Sequence, residues 1–345
     1  MILSYRTRRN LRRTGKFLLI AAVIAAVVWV CWSIWVARYM YYDRDFGAKL
    51  DFNLSPIPEG SLAEKPTGGP GVNIFYNDAT PEGPAPEVVK RNISGYFITL
   101  DELSDTAALI ETLETLSPGT AVMLDIKSPK GYFYYTSDLE DASDSTNVSV
   151  EEINGLIEYL TGSDLYLIAR LPAFRDWRYG LNHVPSGLAE KGKGGALWLD
   201  DTGCYWLDPT DEKALNYLVR ITQELQSMGF DEVVYYDFRF PNTDKIIFEG
   251  DKTQAITEAA VTLATACATQ QLCVSFEANS PTFALPQGNC RVYLRGVDAE
   301  DAESIAQQVA TDDPTLHVLF ITTASDASDT RFEKYSVLRP MESAH

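Results

Sequence analysis

The chain has 345 residues, of which 46% are hydrophobic, enough to form one large core or two smaller ones. It carries 48 acidic against 29 basic side chains, a formal net charge of −19. Phosphate binding requires clustered cations, so this acidic balance argues against nucleic acid as a partner. A neutral or cationic ligand is easier to accommodate, although the acidity could equally serve solubility alone.

Cysteine and histidine usage gives no sign of a metal centre. One of the five cysteines, Cys31, lies in an apolar run near the N-terminus. The other four permit disulfides without requiring them, and their irregular spacing contains no Cys-x-x-Cys pair. With only three histidines in the chain, we predict neither a metal nor any other cofactor.

The N-terminal region reads as a membrane anchor. Residues 1–16 contain six cations and no acid, and residues 17–37 form an uncharged run of 21 residues. At 1.5 Å per residue this run spans about 30 Å, the hydrocarbon thickness of a bilayer. The flanking cations place the N-terminus in the cytoplasm and the rest of the chain outside it. A cleaved signal peptide is the alternative, but bulky Trp35 stands where a small residue would precede cleavage at Ala37.

Residues 38–92 are rich in proline, glycine and acids and are predicted to form a linker, with one short strand candidate at Val72–Tyr76. From residue 93 to 340 the pattern alternates between strand-like and helix-like runs, which predicts a parallel sheet with helical crossovers. The predicted strands are Gly95–Leu100, Thr120–Ile126, Asp164–Leu171, Glu232–Phe240, Leu272–Ala278, Cys290–Val297 and His317–Thr323. The predicted helices are Thr106–Leu116, Val150–Leu160, Asp211–Met228, Thr253–Thr269 and Ala299–Val309.

Seven such strands favour a TIM (β/α)8-like barrel, in a trimmed or degenerate form. Between Ala278 and Cys290 there is no room for a full helix, and no clear eighth strand follows Thr323. Lys334–Leu338 or the Val72–Tyr76 segment could close the ring.

Ionisable residues recur where the predicted strands end. In the segment Asp231–Pro241, we predict that Val234, Tyr236, Phe238 and Phe240 face the outer helices. The alternate residues of this segment, which include Asp237 and Arg239, then face the barrel interior. The same alternation turns five further residues inward, namely Asp125, Lys127, Arg170, Glu277 and Arg295. Such a rim is where barrel enzymes build their sites, but an ion-pair network that only closes the barrel is the alternative.

The loops above this rim are aromatic. Four aromatic residues, Tyr132 to Tyr135, follow the second predicted strand, and the third is followed by Trp177, Trp198, Tyr205 and Trp206. Sugar rings have apolar faces that stack on aromatic rings, so these loops suit a carbohydrate ligand. They could equally be packing anchors that hold long loops in place.

Four ordered blocks carry a resemblance to a known family. They read DIKSPKGYFYYTSD, LYLIARLPAFRDW, GALWLDDTGCYWLDP and GFDEVVYYDFRFP. This order, between Gly95 and Pro241, resembles an uncharacterised bacterial family of glycosyl-hydrolase-like domains, and the last block is the most specific. Ser128 stands where that family usually has an acid. The resemblance implies a TIM barrel and hydrolysis of glycosidic bonds.

Hydrolysis of this kind generally uses two carboxyl groups. By analogy with related barrel hydrolases, Asp237 would be the nucleophile and Glu277 the acid, with Arg170 and Arg239 keeping Asp237 ionised. The predicted substrate-binding residues are Asp125, Lys127, Arg170, Arg239, Arg295, Asp176, Trp177, Trp198, Trp206 and Asp208. Three functions remain open: a hydrolase of a cell-wall or exported polysaccharide, a carbohydrate-binding barrel without catalysis, and a structural envelope protein.

Overall fold

A computed structural model describes residues 91–341, except 101, 269–271, 279–284, 287, 311–312 and 323–329. It also describes residues 29, 32, 40–43 and 47–50. The predicted basic tail, the Val72–Tyr76 strand and, apart from Trp29 and Trp32, the predicted membrane helix lie outside these residues. Within the part of the chain that is described, no helix is long and apolar enough to cross a membrane.

The chain divides into two units, Met1–Asn73 and Ile74–His345. In the first unit, strands Met40–Asp43 and Gly47–Leu50 pair antiparallel, with Met40 opposite Leu50. They fall in the stretch predicted to be a linker.

The second unit contains a closed barrel of eight parallel strands. They are β1 (Ser94–Ile98), β2 (Ala121–Asp125), β3 (Tyr166–Pro172), β4 (Glu232–Tyr236), β5 (Cys273–Glu277), β6 (Val292–Arg295), β7 (Val318–Ile321) and β8 (Ser336–Pro340). The last strand closes the ring between β7 and β1, with Val337 opposite Ser94. The predicted TIM-like barrel is therefore confirmed. Its eighth strand overlaps the candidate Lys334–Leu338, so the ring of strands is not trimmed.

Helices cover the outside of the barrel. They are α1 (Thr106–Leu113), α2 (Val150–Thr161), α3 (Trp177–Asn182), α4 (Glu212–Met228), α5 (Lys252–Cys267), α6 (Ala302–Val309) and α7 (Pro314–His317). Short 3-10 turns occupy Glu102–Ser104, Val184–Ser186 and Thr330–Phe332. Most of the longer helices begin at an Asp or Ser whose side chain accepts a backbone N–H of the first turn, as Asp211 does for α4. Among the described residues between β5 and β6 there is no helix, as expected.

The two faces of each strand contribute to two separate cores. On β2, Val122 and Leu124 pack into the core beneath the helices, whereas Ala121 and Met123 belong to the cluster that fills the barrel. This agrees with the facing predicted for β2, and Asp125 continues the interior parity.

On β4 the predicted facing is wrong. Val234 belongs to the interior cluster, whereas Tyr235 points outward and donates a hydrogen bond to the Leu218 carbonyl of α4 (3.0 Å). The strand ends at Tyr236, so Asp237 and Arg239 belong to the loop that follows it. Asp237 has φ 51°, a left-handed conformation that interrupts the alternation assumed for this segment.

The lower half of the barrel holds a buried polar network centred on Glu232, which is fully buried. Its carboxylate accepts hydrogen bonds from Ser275 Oγ and from the Tyr166 hydroxyl (2.9 Å), and Arg291 Nε lies 4.0 Å away. The neighbouring Asp231 accepts the backbone N–H of Leu167 at 2.8 Å. Asp231 and Glu232, near the start of the GFDEVVYYDFRFP block, therefore hold strands together at the end of the barrel opposite the site described next.

Candidate active site

Four ionisable side chains meet at the C-terminal mouth of the barrel, and we call them the mouth cluster: Asp125, Arg170, Glu277 and Arg295. Arg170 donates from Nε and Nη2 to the two carboxylate oxygens of Glu277, at 2.5 and 3.0 Å. Its Nη1 donates to Asp125 at 2.7 Å. Arg295 adds a further bond to Glu277 at 3.2 Å. Of the seven residues predicted to face the barrel interior, the structure brings these four together.

Aromatic rings flank both arginines of the mouth cluster. The Arg170 guanidinium lies 4.1 Å from the ring centroid of Tyr236, and that of Arg295 lies 5.2 Å from Phe97. A cavity of about 200 Å³, the mouth cavity, opens beside them. Its lining combines the apolar residues Phe97, Ile98, Leu100 and Met123 with Thr99, Asp125, Arg170 and Arg295.

Glu277 is held as a carboxylate. Burial by itself raises the pKa of Glu277, but hydrogen bonding and charge from Arg170, then Arg295, outweigh burial, so the pKa lies below its ordinary value. A group that is charged at neutral pH suits the part of a base or nucleophile better than that of a proton donor. Arg170 was expected to pair with Asp237, but it forms its ion pairs with Glu277 and Asp125 instead.

Asp237 contacts a different pair of arginines. Arg239 Nη2 lies 3.2 Å from Asp237 Oδ1, and Arg175 Nη1 lies 3.5 Å from Oδ2. Arg175 also donates from Nε to Asp200 at 2.8 Å. The two predicted catalytic carboxylates therefore belong to separate ion-pair groups, both at the C-terminal end of the barrel.

A second cavity, the rim groove, has a volume of about 260 Å³ and lies beside this second group. Trp198 and Trp206 form part of its wall, and the Arg239 guanidinium lies 4.9 Å from the Trp206 ring centroid. Trp206 Nε1 donates to Asp200 at 3.0 Å. The remaining described lining residues are Arg175, Asp200, Asp201, Thr202, Arg239, Pro241 and Asn242.

Asp200 organises one wall of the rim groove. Burial raises the pKa of its carboxyl, but hydrogen bonds from Cys204, Trp206 and Thr202, together with the charge of Arg175, lower it to about 2. Asp200 is therefore a permanent anion that fixes both a guanidinium and an indole.

Lys127 and Asp176 form an ion pair whose two side chains have no exposed surface. Asp176 also accepts from the Tyr217 hydroxyl of α4 (3.2 Å) and caps α3 through the backbone N–H of Tyr179 (2.8 Å). Lys127 was expected to face the barrel interior, but it lies against Tyr217, on the helix side, because β2 ends two residues before it. In this arrangement neither side chain reaches a described cavity.

Of the other predicted binding residues and loop aromatics, some line the rim groove and the others pack within the protein or bond within a turn. Trp177 is half-buried at the first position of α3, and Asp208 accepts two hydrogen bonds from Thr210 within a turn; neither lines a described cavity. Phe133, Tyr134 and Tyr135 are buried, so these three loop aromatics are packing anchors. Within the described residues, no group of three or more His, Cys, Asp or Glu side chains is placed to hold a metal.

Sequence reasoning missed Arg175 and Asp200, which join Asp237 to the groove. Arg175 stands between Phe174 and Asp176 in the FRDW block, so its place in that block was the available signal. Nothing in the local pattern connects it with Asp200, 25 residues further along the chain.

Comparison with known proteins identifies the family. Residues 95–311 match the family described as "Putative glycosyl hydrolase domain", which covers more than half of the chain. The chain belongs to this family. The resemblance inferred from the four sequence blocks is therefore confirmed, and the matched region contains all residues of the mouth cluster and of the rim groove.

Several solved structures are similar to this glycosyl hydrolase family member. A hypothetical protein from Ruminiclostridium thermocellum is 21% identical, with 52% of this chain and 96% of that chain covered and a TM-score of 0.43. The glycoside hydrolase domain of PgaB (BpsB) from Bordetella bronchiseptica is 10% identical, covering 73% and 94%, with a TM-score of 0.48.

A GH36 α-galactosidase, AgaA from Geobacillus stearothermophilus, is 9% identical, covering 73% of this chain and 39% of that one, with a TM-score of 0.49. The chain thus spans well under half of the galactosidase. No curated protein sequence matches the chain.

Proposed function

We propose that this chain is a membrane-anchored glycoside hydrolase, held outside the cytoplasm, that acts on a cell-wall or exported polysaccharide. The observation that supports it most is the meeting of carboxylates, arginines and aromatic rings at the C-terminal mouth of a closed barrel. That mouth is where barrel enzymes carry their catalytic groups. Membership of the glycosyl hydrolase family supports the substrate class.

In this proposal Asp237 and Glu277 form the carboxylate pair. Glu277 is charged in the resting geometry, so it acts as nucleophile or as the base that activates water. Asp237 is then the carboxyl left to protonate the leaving oxygen, which reverses the parts expected from the sequence and requires Arg175 and Arg239, both in contact with Asp237, to move away first. Its partner Arg239 is 48% exposed on the groove side and so is free to shift when a sugar enters.

The membrane part of the proposal depends on the uncharged run at residues 17–37 and the six cations before it. It is tested by fractionating cells that express the full chain or a chain without residues 1–37. The full chain should remain with membranes after an alkaline carbonate wash, and the shortened one should not. Membrane retention of both would refute an anchor in that run.

One observation favours a second candidate, a carbohydrate-binding barrel without catalysis. Both carboxylate oxygens of Glu277 are engaged by arginine, and its side chain is only 9% exposed. A carboxylate in that state reaches a sugar only if Arg170 moves. Ser128, in place of an acid usual in the family, points the same way.

A glycan array combined with a reducing-sugar assay on the full-length chain separates these functions. Release of reducing ends, lost in Asp237→Asn and in Glu277→Gln but retained in the control Asp138→Asn at an exposed loop position, supports the hydrolase. Binding without turnover supports the second candidate. Absence of both, in a folded sample, refutes both and leaves a structural role.

A further inference from the structure

We propose that the rim groove is a sugar-binding subsite of its own, next to the mouth cavity, so that the protein takes an internal stretch of a polysaccharide across both. This inference rests on the proposed function and adds the length and mode of binding of the substrate.

The mouth cavity and the rim groove are two separate spaces. None of the described residues lines both. Their volumes, about 200 and about 260 Å³, each fall below the roughly 300 Å³ at the lower end of typical ligand pockets. A ligand confined to one of them would therefore be small, whereas a longer one would have to occupy both.

Two consecutive residues, Tyr236 and Asp237, contact the linings of the two cavities. The Tyr236 ring lies under Arg170, which lines the mouth cavity, and the carboxylate of Asp237 contacts Arg175 and Arg239, which line the groove. Adjacent Cα atoms are only about 3.8 Å apart, so the contacts to Arg170 and to the two groove arginines start from neighbouring points of the chain. The left-handed backbone at Asp237, a costly conformation for a residue other than glycine, makes this division possible.

The chemistry of the groove suits a sugar ring. Trp198 is half-buried and faces the space, and the Trp206 ring is held by its bond to Asp200. An indole wall with polar side chains around it matches a ring that has apolar faces and hydroxyl edges. Arg175 and Arg239 are each paired with a carboxylate, and Asp201 adds a further exposed acid. A neutral or amino sugar therefore fits this wall better than an acidic one.

The test measures affinity as a function of oligosaccharide length. Neutral, amino and acidic oligosaccharides of two and six sugars are titrated into the full-length wild-type chain and its variants by calorimetry. Wild type should bind the six-sugar form of its preferred glycan at least tenfold more tightly than the two-sugar form. Trp198→Ala, which removes the indole, should reduce that gain by about tenfold.

Two further variants distinguish an effect on the rim groove from an effect of misfolding. Asn242→Trp, at an exposed position on the groove wall, should obstruct the groove and reduce the same gain without removing any packed side chain. Leu199→Ala, exposed and adjacent to Trp198 but not lining the groove, is the matched control and should leave the gain unchanged.

The outcomes separate the inference from the function on which it rests. Equal affinity for two and six sugars, or a length dependence that survives both groove variants, overturns the subsite while leaving a hydrolase possible. Tighter binding of acidic than of neutral or amino oligosaccharides overturns the ligand class. Absence of binding to every glycan in a folded sample overturns the proposed function and the subsite with it.

Discussion

Replacing Lys127 distinguishes a structural ion pair from a ligand-binding one. In Lys127→Ala, the buried carboxylate of Asp176 loses its only cationic partner among the described contacts. Breaking a buried pair in this way typically costs about 3–5 kcal/mol. Asp176 retains hydrogen bonds from Tyr217 and from the backbone of Tyr179, so we expect a loss near the lower end of that range.

For a domain of this size, about 3 kcal/mol corresponds to a fall of roughly 6 to 12 °C in the unfolding midpoint. Thermal unfolding of the full chain, followed by circular dichroism, measures it. Lys334→Ala is the control, because Lys334 forms an ion pair with Glu303 in which the side chains are 48% and 62% exposed. It should leave the midpoint unchanged. A Lys127→Ala midpoint within 2 °C of wild type, combined with a tenfold loss of glycan affinity, would instead make Lys127 a ligand-binding residue.

Three further predictions concern packing and charge. Gly131→Ala should destabilise the fold by about 2 kcal/mol or more in a denaturant titration, because Gly131 has φ 83° and an added Cβ would lie 2.4 Å from Asp176 Oδ1. Gly192→Ala is the control: with φ 72° and open space around the added Cβ, it should show only the smaller backbone cost. Because the folded pKa of Glu277 is lowered, its charge stabilises the fold above the ordinary value of 4.5, and this stabilisation is lost as the pH falls through the folded pKa. The difference in unfolding free energy between wild type and Glu277→Gln should thus be largest at neutral pH and narrow below about pH 4.5; a difference that widens in acid contradicts this. The four cysteines of the barrel unit are buried, and burial raises the pKa of the Cys267 thiol to about 11, so a thiol reagent at pH 8 should label them only after unfolding.

The sequence was sufficient to predict the barrel and, of the residues at its mouth, the four that form the mouth cluster; Lys127, Asp237 and Arg239 were predicted with them but lie elsewhere. Charged residues at the ends of otherwise apolar strands, such as Asp125 and Arg170, showed which parity faces the interior. On β4 the same reasoning failed because both faces are buried and aromatic, so Tyr235 and Tyr236 offered no contrast. Tyr235 satisfies its hydroxyl on α4, a partner 17 residues away that alternation along the strand does not reveal.

The rim groove could be predicted only in part. Trp198 and Trp206 were expected to lie above the barrel, but their meeting with Arg239 depends on irregular loop contacts. Arg175 pairs with Trp206, and Leu199 with Tyr205, through isolated bridges rather than through a regular ladder. No periodic pattern encodes such bridges, and although Asp is one of the residues that adopt the left-handed region, its presence alone does not predict the turn at Asp237.

The way the ring closes has a consequence for biosynthesis. Strand β8 is the last element of the barrel and completes it, and Ile93 bonds to Ser336 across 243 positions of the chain. While the chain emerges from the ribosome, β1 and then β7 carry open edges until residues 336–340 arrive. Open edges of this kind recruit strands from other molecules. The exposed edges of β1 and β7 can therefore pair with other chains until residues 336–340 complete the barrel.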